Sequence, residues 1–143
     1  MLTRFPDWQS RLQAYLDSRR AARFQYGACD CCLFTCDCVR AMTGHDMADW
    51  FRGRYSTRRR ALELIRQRTG HVGVKAIAEH AAAECGLASV PVLMARRGDM
   101  ALVGSGSKAI LGIVSLLGTD VMCLDKNGIV RVALESVTAA WRV

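Results

Sequence analysis

Tyr26-Gly27-Ala28-Cys29-Asp30-Cys31-Cys32-Leu33-Phe34-Thr35-Cys36-Asp37-Cys38-Val39-Arg40-Ala41-Met42-Thr43-Gly44 is the stretch on which the fold turns. A short loop ends at Asp30, a residue suited to capping a helix N-terminus. The apolar segment from Cys32 to Met42 stops at Thr43-Gly44, where glycine suits a left-handed C-terminal cap. A cysteine in the first turn of such a helix faces unpaired backbone N–H groups and the positive end of the helix dipole, and both favour the thiolate. That is how a nucleophile is built. Catalysis also requires a base to take the thiol proton and a group to orient that base.

Upstream, Pro6 suits a helix start, and Trp8, Leu12, Tyr15 and Leu16 recur at helical spacing, which predicts an amphipathic helix to about Arg19. Downstream, a short turn over 46–51 and a loop over 52–57 precede a third helix from about Thr57 to Arg68, ending at Gly70. Val74 to Cys85 reads as a fourth, closed by Gly86. The period then changes. Met100–Val103, Ala109–Leu116, Val121–Leu124 and Ile129–Ala133 are short β-type runs, Ala139–Val143 adds a last one, and Asp125-Lys126-Asn127-Gly128 is a hairpin turn. Helices first and an antiparallel sheet second make an α+β fold. The 143 residues are expected to form one domain, with a helical part over about 6–86 and a sheet part over about 98–143.

Composition narrows the function classes. The longest apolar run, Ala109–Leu117, falls far short of the roughly 20 residues a membrane helix needs, so no membrane role is expected. The segment from Met1 to Asp7 lacks the apolar stretch of a secretory signal, which points to synthesis in a reducing cytosol. A net charge of +7 is dispersed, and the aromatics do not interleave with the basic residues in a stacking pattern, which argues against nucleic acid. Arginine dominates lysine, and planar guanidinium groups suit pairing with carboxylates on a protein partner. Arg52, Arg54 and Tyr55, with Trp141, are therefore the candidate interface residues, aromatic and arginine side chains being common anchors. The competing reading has the same arginines pairing internally with Asp30, Asp46 or Asp49 and locking their loop onto the cysteine helix.

Five of the seven cysteines, Cys29, Cys31, Cys32, Cys36 and Cys38, fall within ten residues. In a cytosolic chain they imply no disulfides. A zinc or iron–sulfur reading takes Cys29, Cys32 and Cys36 as ligands, with Cys85 or Cys123 as a distant fourth. The other reading, small hydrophobes on a tightly packed helix, requires no metal or cofactor.

Asp30-Cys31-Cys32-Leu33-Phe34, Arg97-Gly98-Asp99-Met100-Ala101-Leu102-Val103 and Ile110-Leu111-Gly112-Ile113-Val114, in this order, resemble the NlpC-type papain-like cysteine peptidases. Those are cell-wall endopeptidases with a cysteine helix packed on a small antiparallel sheet. More closely, the chain resembles a family of short proteins from phage and prophage tail-tip gene regions that look like diverged relatives of tail-associated NlpC peptidases. The shared marks are Tyr26-Gly27-x-x-Asp30-Cys31, Thr43-Gly44-x-Asp46, Phe51-Arg52-Gly53-Arg54-Tyr55, Arg97-Gly98-Asp99, Asn127-Gly128-Ile129 and Ala140-Trp141-Arg142-Val143.

The resemblance implies that Cys31 is the nucleophile position and that a histidine should open the second strand. Ile110 stands in that slot, and the third member of the triad would fall near Met122 or Cys123, neither able to orient an imidazole. His45 follows the cysteine helix, about 20 Å from its start at 1.5 Å per residue; His71 and His80 lie elsewhere. The implied protein is a non-catalytic structural or assembly component of a phage tail tip. It would contact other tail-tip or hub proteins in the virion tail after synthesis in the host cytoplasm, and Cys31 would be vestigial. The alternatives are an active cysteine peptidase cleaving peptidoglycan and a metal or iron–sulfur module.

Overall fold

The computed structural model describes residues 2–143 and is an α+β structure. Four helices come first: α1 (Trp8–Ser18), α2 (Cys31–Thr43), α3 (Arg58–Thr69) and α4 (Val74–Cys85). Six strands follow: β1 (Ser89–Val90), β2 (Met100–Val103), β3 (Ile110–Val114), β4 (Asp120–Asp125), β5 (Gly128–Ala133) and β6 (Val137–Trp141). They form one antiparallel sheet in the order β1-β6-β2-β3-β4-β5, so β6 returns to pair beside β2. Two of the strands depart from the sequence reading. β1 is a two-residue strand with no periodicity to reveal it, and β6 begins at Val137, two residues before the expected start.

Local chemistry explains the helix limits. Asp30 caps α2 by accepting from the Leu33 N–H at 2.9 Å, and Thr57 caps α3 through the Arg60 N–H at 3.2 Å. Gly44 and Gly70 end these helices with φ of 80° and 76°, a region where a Cβ is strained. α1 starts at Trp8 and not at Pro6, because Asp7 supplies the N-cap backbone position.

α2 is the central helix. Nine of its residues, among them Leu33, Phe34, Cys36, Cys38, Val39 and Met42, are buried against α1 on one side and the sheet on the other. The sheet face turned to α2 carries Met100, Leu102, Leu111, Ile113, Met122, Leu124 and Trp141. Ala101, Val103, Val114, Val121, Cys123 and Val137 occupy the opposite face, which Val130 and Val132 of β5 extend and against which Val92 and Leu134 pack. With both faces buried, β2 to β4 read as continuous apolar runs instead of alternating ones. A Cβ on Gly112 would lie 2.6 Å from Cys123 Sγ, so the glycine of β3 permits close packing against β4.

Asp99, fully buried at the start of β2, joins distant parts of the chain. It accepts from Arg4 Nη2 at 3.1 Å, Arg142 Nε at 3.0 Å, and the backbone N–H groups of Arg96 and Val143. Gly98 before it has φ of 81°, and a Cβ there would approach Trp8 to 2.9 Å. Replacing Asp99 by Asn leaves two guanidinium groups without their counter-ion. Asp99→Asn is expected to cost about 3 kcal/mol, in the manner of a broken buried ion pair, and to lower the melting temperature by roughly 10 °C, measured by circular dichroism. An unchanged melting point would show that this junction does not hold the fold together.

Candidate functional site

Cys31 lies at the N-terminus of α2, on the floor of a cleft of about 640 Å³. Asp30, Cys32, Phe51, Tyr55, the inner faces of α3 and α4, Ile110 at the start of β3 and the hairpin at Asp125-Lys126 complete its walls. The β3–β4 pairing extends from Gly112↔Cys123 to Val114↔Val121, so Ile110 and Leu111 lie beyond its end. The α2 N-terminus meets the sheet there, and the Leu111 backbone N–H reaches the Cys31 thiol.

The Cys31 thiol is 3.9 Å from the Cys32 thiol. Cys31 is the more acidic of the two, held below the ordinary thiol value. Hydrogen bonding from Cys32 is the largest cause and the Leu111 N–H assists, against burial and the Asp30 charge. Cys32 is pushed well up by the same contact and by burial. Burial likewise raises Cys36 and Cys38, and lifts Cys123 to about 12, so these are inert core thiols. Cys29, Cys32 and Cys36 do not converge: among the described residues no three His, Cys, Asp or Glu side chains come together as a metal-holding group. Cys32 and Cys36 are packed into the core from α2, and Cys29 lies in the loop before the helix.

Asp30 does more than cap. One carboxylate oxygen accepts from the Leu33 N–H, and the other accepts from the Gly27 N–H at 3.1 Å and from the Tyr55 hydroxyl. Burial is the main reason the Tyr55 hydroxyl is pushed far up, with Asp30 adding to it, so it stays a donor. Gly27 has φ of 82°, and a Cβ there would collide with the Tyr55 carbonyl oxygen. The Tyr26-Gly27 and Arg54-Tyr55 segments are therefore pressed together over the start of the cysteine helix.

Two of the expected interface residues on this loop face inward. Arg52 donates to Asp46 Oδ2 at 2.8 Å and to Asp37 Oδ1 at 2.6 Å, and Tyr55 is bound to Asp30. The internal-clamp alternative describes Arg52 through Asp46, with Asp37 as a partner the sequence did not suggest, whereas Asp30 is held by Tyr55 and not by an arginine. Trp141, 5 % exposed, is a core residue of β6 and not a docking anchor. Arg54 alone of the four is exposed, with no ion pair among the described residues.

No histidine lines the cleft. His45 and His71 are exposed at the ends of α2 and α3. His80 accepts from Arg68 Nε at 3.2 Å and packs edge-on against Trp50, ring centroids 5.4 Å apart. Ile110 lines the same cleft as Cys31, and neither Met122 nor Cys123 offers an orienting group. The remaining acid near the thiol, Asp30, already accepts three hydrogen bonds. Cys31 thus has an environment that favours its anion. Sequence reasoning missed the apolar cleft walls from α3 and α4 and the basic residues Lys108 and Lys126 at its edge, because their convergence depends on helix packing and loop closure.

The family model that matches this chain, a domain of unknown function (DUF6950), covers residues 3–143. No match is found among curated proteins.

Tyr55→Phe removes a hydrogen bond to a charged group and is expected to cost about 2 kcal/mol, read as a lower denaturation midpoint. An unaltered midpoint would show that the Tyr55–Asp30 contact contributes nothing net. Hydrogen bonding from Arg52 is the first cause holding Asp46 below the ordinary carboxylate range. A depressed carboxylate adds stability above its unfolded pKa, and that stability is lost as pH falls through the folded value. Arg52→Gln should therefore destabilise by about 1 kcal/mol at pH 7, solvent screening included, and the gap should narrow below about pH 4. A gap independent of pH would exclude this pairing as its source.

Proposed function

We propose, for a chain that belongs to the DUF6950 family over residues 3–143, that it is a non-catalytic, degenerate papain-like domain of the NlpC type, serving as a structural or assembly component of a phage tail tip. The observation that carries the non-catalytic part is Ile110 facing the Cys31 cleft where the resemblance asks for a histidine, with no imidazole anywhere in that cleft. Loss of the general base removes roughly two to four orders of magnitude in rate, and the triad also lacks its orienting member. The papain-like part is supported by a cysteine helix whose N-terminus meets the end of the β3–β4 pairing in an antiparallel sheet. The tail-tip assignment and the hub-type partners rest on the sequence resemblance.

A domain that keeps this fold without its chemistry acts by contact. Arg54, exposed on a loop whose neighbours Arg52 and Tyr55 are tied down, is a rigidly presented cation suited to a carboxylate on a partner. No helix among the described residues is long and apolar enough to cross a membrane.

Purified protein is expected to release no muropeptides from peptidoglycan. Release by the wild-type chain that disappears in Cys31→Ala would replace this reading with the peptidase one. Arg54→Glu should leave the melting temperature within about 1–2 °C, as for surface substitutions of at most about 0.5 kcal/mol, while abolishing incorporation into tails in a complementation assay. Normal incorporation would remove Arg54 from the contact.

A further inference from the structure

The cleft above Cys31 is far larger than one thiol requires. Its volume of about 640 Å³ falls within the roughly 300–1,000 Å³ typical of small-molecule sites. Leu62 and Ile65 of α3, Val74 and Ile77 of α4, and Phe24 and Tyr26 line it. Phe24, Tyr26, Leu62 and Val74 are only half-buried, so apolar surface remains open to the space. Phe24 and Tyr26 brace one another edge to face, ring centroids 4.9 Å apart.

Polar groups occur at two levels. On the floor, the Asp30 carboxylate is occupied by Gly27, Leu33 and Tyr55. At the edge, Arg58, Lys108 and Lys126 are exposed, and among the described residues none is in an ion pair. The acid beside them, Asp125, accepts from the Asn127 N–H at 2.7 Å and holds the hairpin turn.

We infer that this cleft binds a free long-chain carboxylate, with the alkyl chain between α3, α4 and the start of β3 and the head among Arg58, Lys108 and Lys126. Charge selects the head, since three cations outside any ion pair line the cleft beside one carboxylate, Asp125, that the turn already engages. The walls select the tail. An extended peptide would bury its amides against Leu62, Ile65, Val74 and Ile77, whose side chains cannot replace the lost hydrogen bonds to water; an alkyl chain has no such groups. The ligand stays unmodified, because a free carboxylate has no leaving group for Cys31 to displace and the thiol has no base.

The test titrates the full chain calorimetrically with decanoate, dodecanoate, tetradecanoate and hexadecanoate, each below its micelle-forming concentration. Burial of one methylene is worth roughly a four-fold gain in affinity, so each two-carbon step should tighten binding about fifteen-fold until the cleft is full. The 1-alkanol of equal length should bind more weakly. The double variant Lys108→Glu, Lys126→Glu, altered only at exposed positions, should lose the preference for carboxylate over alkanol while still binding the alkanol. Ala61→Trp should fill the cleft and abolish binding with the melting temperature retained. Tetradecanoate should slow iodoacetamide labelling of Cys31, read by peptide mass spectrometry. Absence of binding by any of the acids, affinity independent of chain length, or an unchanged carboxylate preference in the double variant would overturn the inference. So would binding only of phosphatidylglycerol vesicles, or only of an apolar decapeptide. The inference goes beyond the tail-tip reading and fails separately from it: muropeptide release bears on that reading alone, and amphiphile titration on this one.

Discussion

The Asp30 carboxylate is the contact on which the cysteine helix and its cleft depend. Its two oxygens hold the first turn of α2, the loop before it at Gly27 and the loop after it at Tyr55. A buried carboxylate leaves water at a cost that only several donors offset. Here the donors come from three segments, so satisfying the charge also sets their mutual positions. The same three bonds occupy both of its oxygens. A residue that reads as half of a nucleophile motif is spent on architecture.

Asp99 plays the corresponding part at the other end of the sheet, gathering Arg4, Arg142 and two backbone N–H groups into one buried site. Arg4 also donates through Nε to the Val143 carbonyl at 2.9 Å. The chain thereby closes on itself, residue 4 against residues 142–143, with β6 carried back beside β2. Arg52, shared between Asp37 on α2 and Asp46 after it, is a third clamp of the same kind. Each sequence motif on which the proposed tail-tip reading rests, apart from the Asn127-Gly128 hairpin turn, contributes to one of these clamps or, like Gly44, to a helix end. Burial of charge accounts for these residues independently of any reaction.

The cleft sets a favoured thiolate beside apolar walls. Helix N-terminus, neighbouring thiol and the Leu111 N–H together favour the Cys31 anion, while Ile110 lines the same cleft and no imidazole does. Apolar side chains from α3, α4 and β3 line the space above it, and the proposed alkyl-chain site rests on them.

Local chemistry was legible in the sequence wherever one short segment contained both partners. The Asp30 cap, the Gly44 and Gly70 stops, the four helices, the Asp125–Gly128 turn and the α+β order are all interactions among residues a few positions apart. Burial of both sheet faces was not, because it depends on which strands neighbour each other and how the far face is covered. Nor was the inward turn of Arg52 and Tyr55: arginine and tyrosine serve surfaces and clamps equally well, and the choice is made by Asp37, Asp46 and Asp30 arriving within hydrogen-bonding distance. Trp141 at residue 141 gives no sign of being interior until β6 pairs between β1 and β2. The sequence by itself determined the four helices, five of the six strands and the thiol at a capped helix start. Tertiary structure decided which charges are neutralised, which thiols are core and that a large apolar cleft opens over Cys31, since each of these requires contacts between residues tens of positions apart.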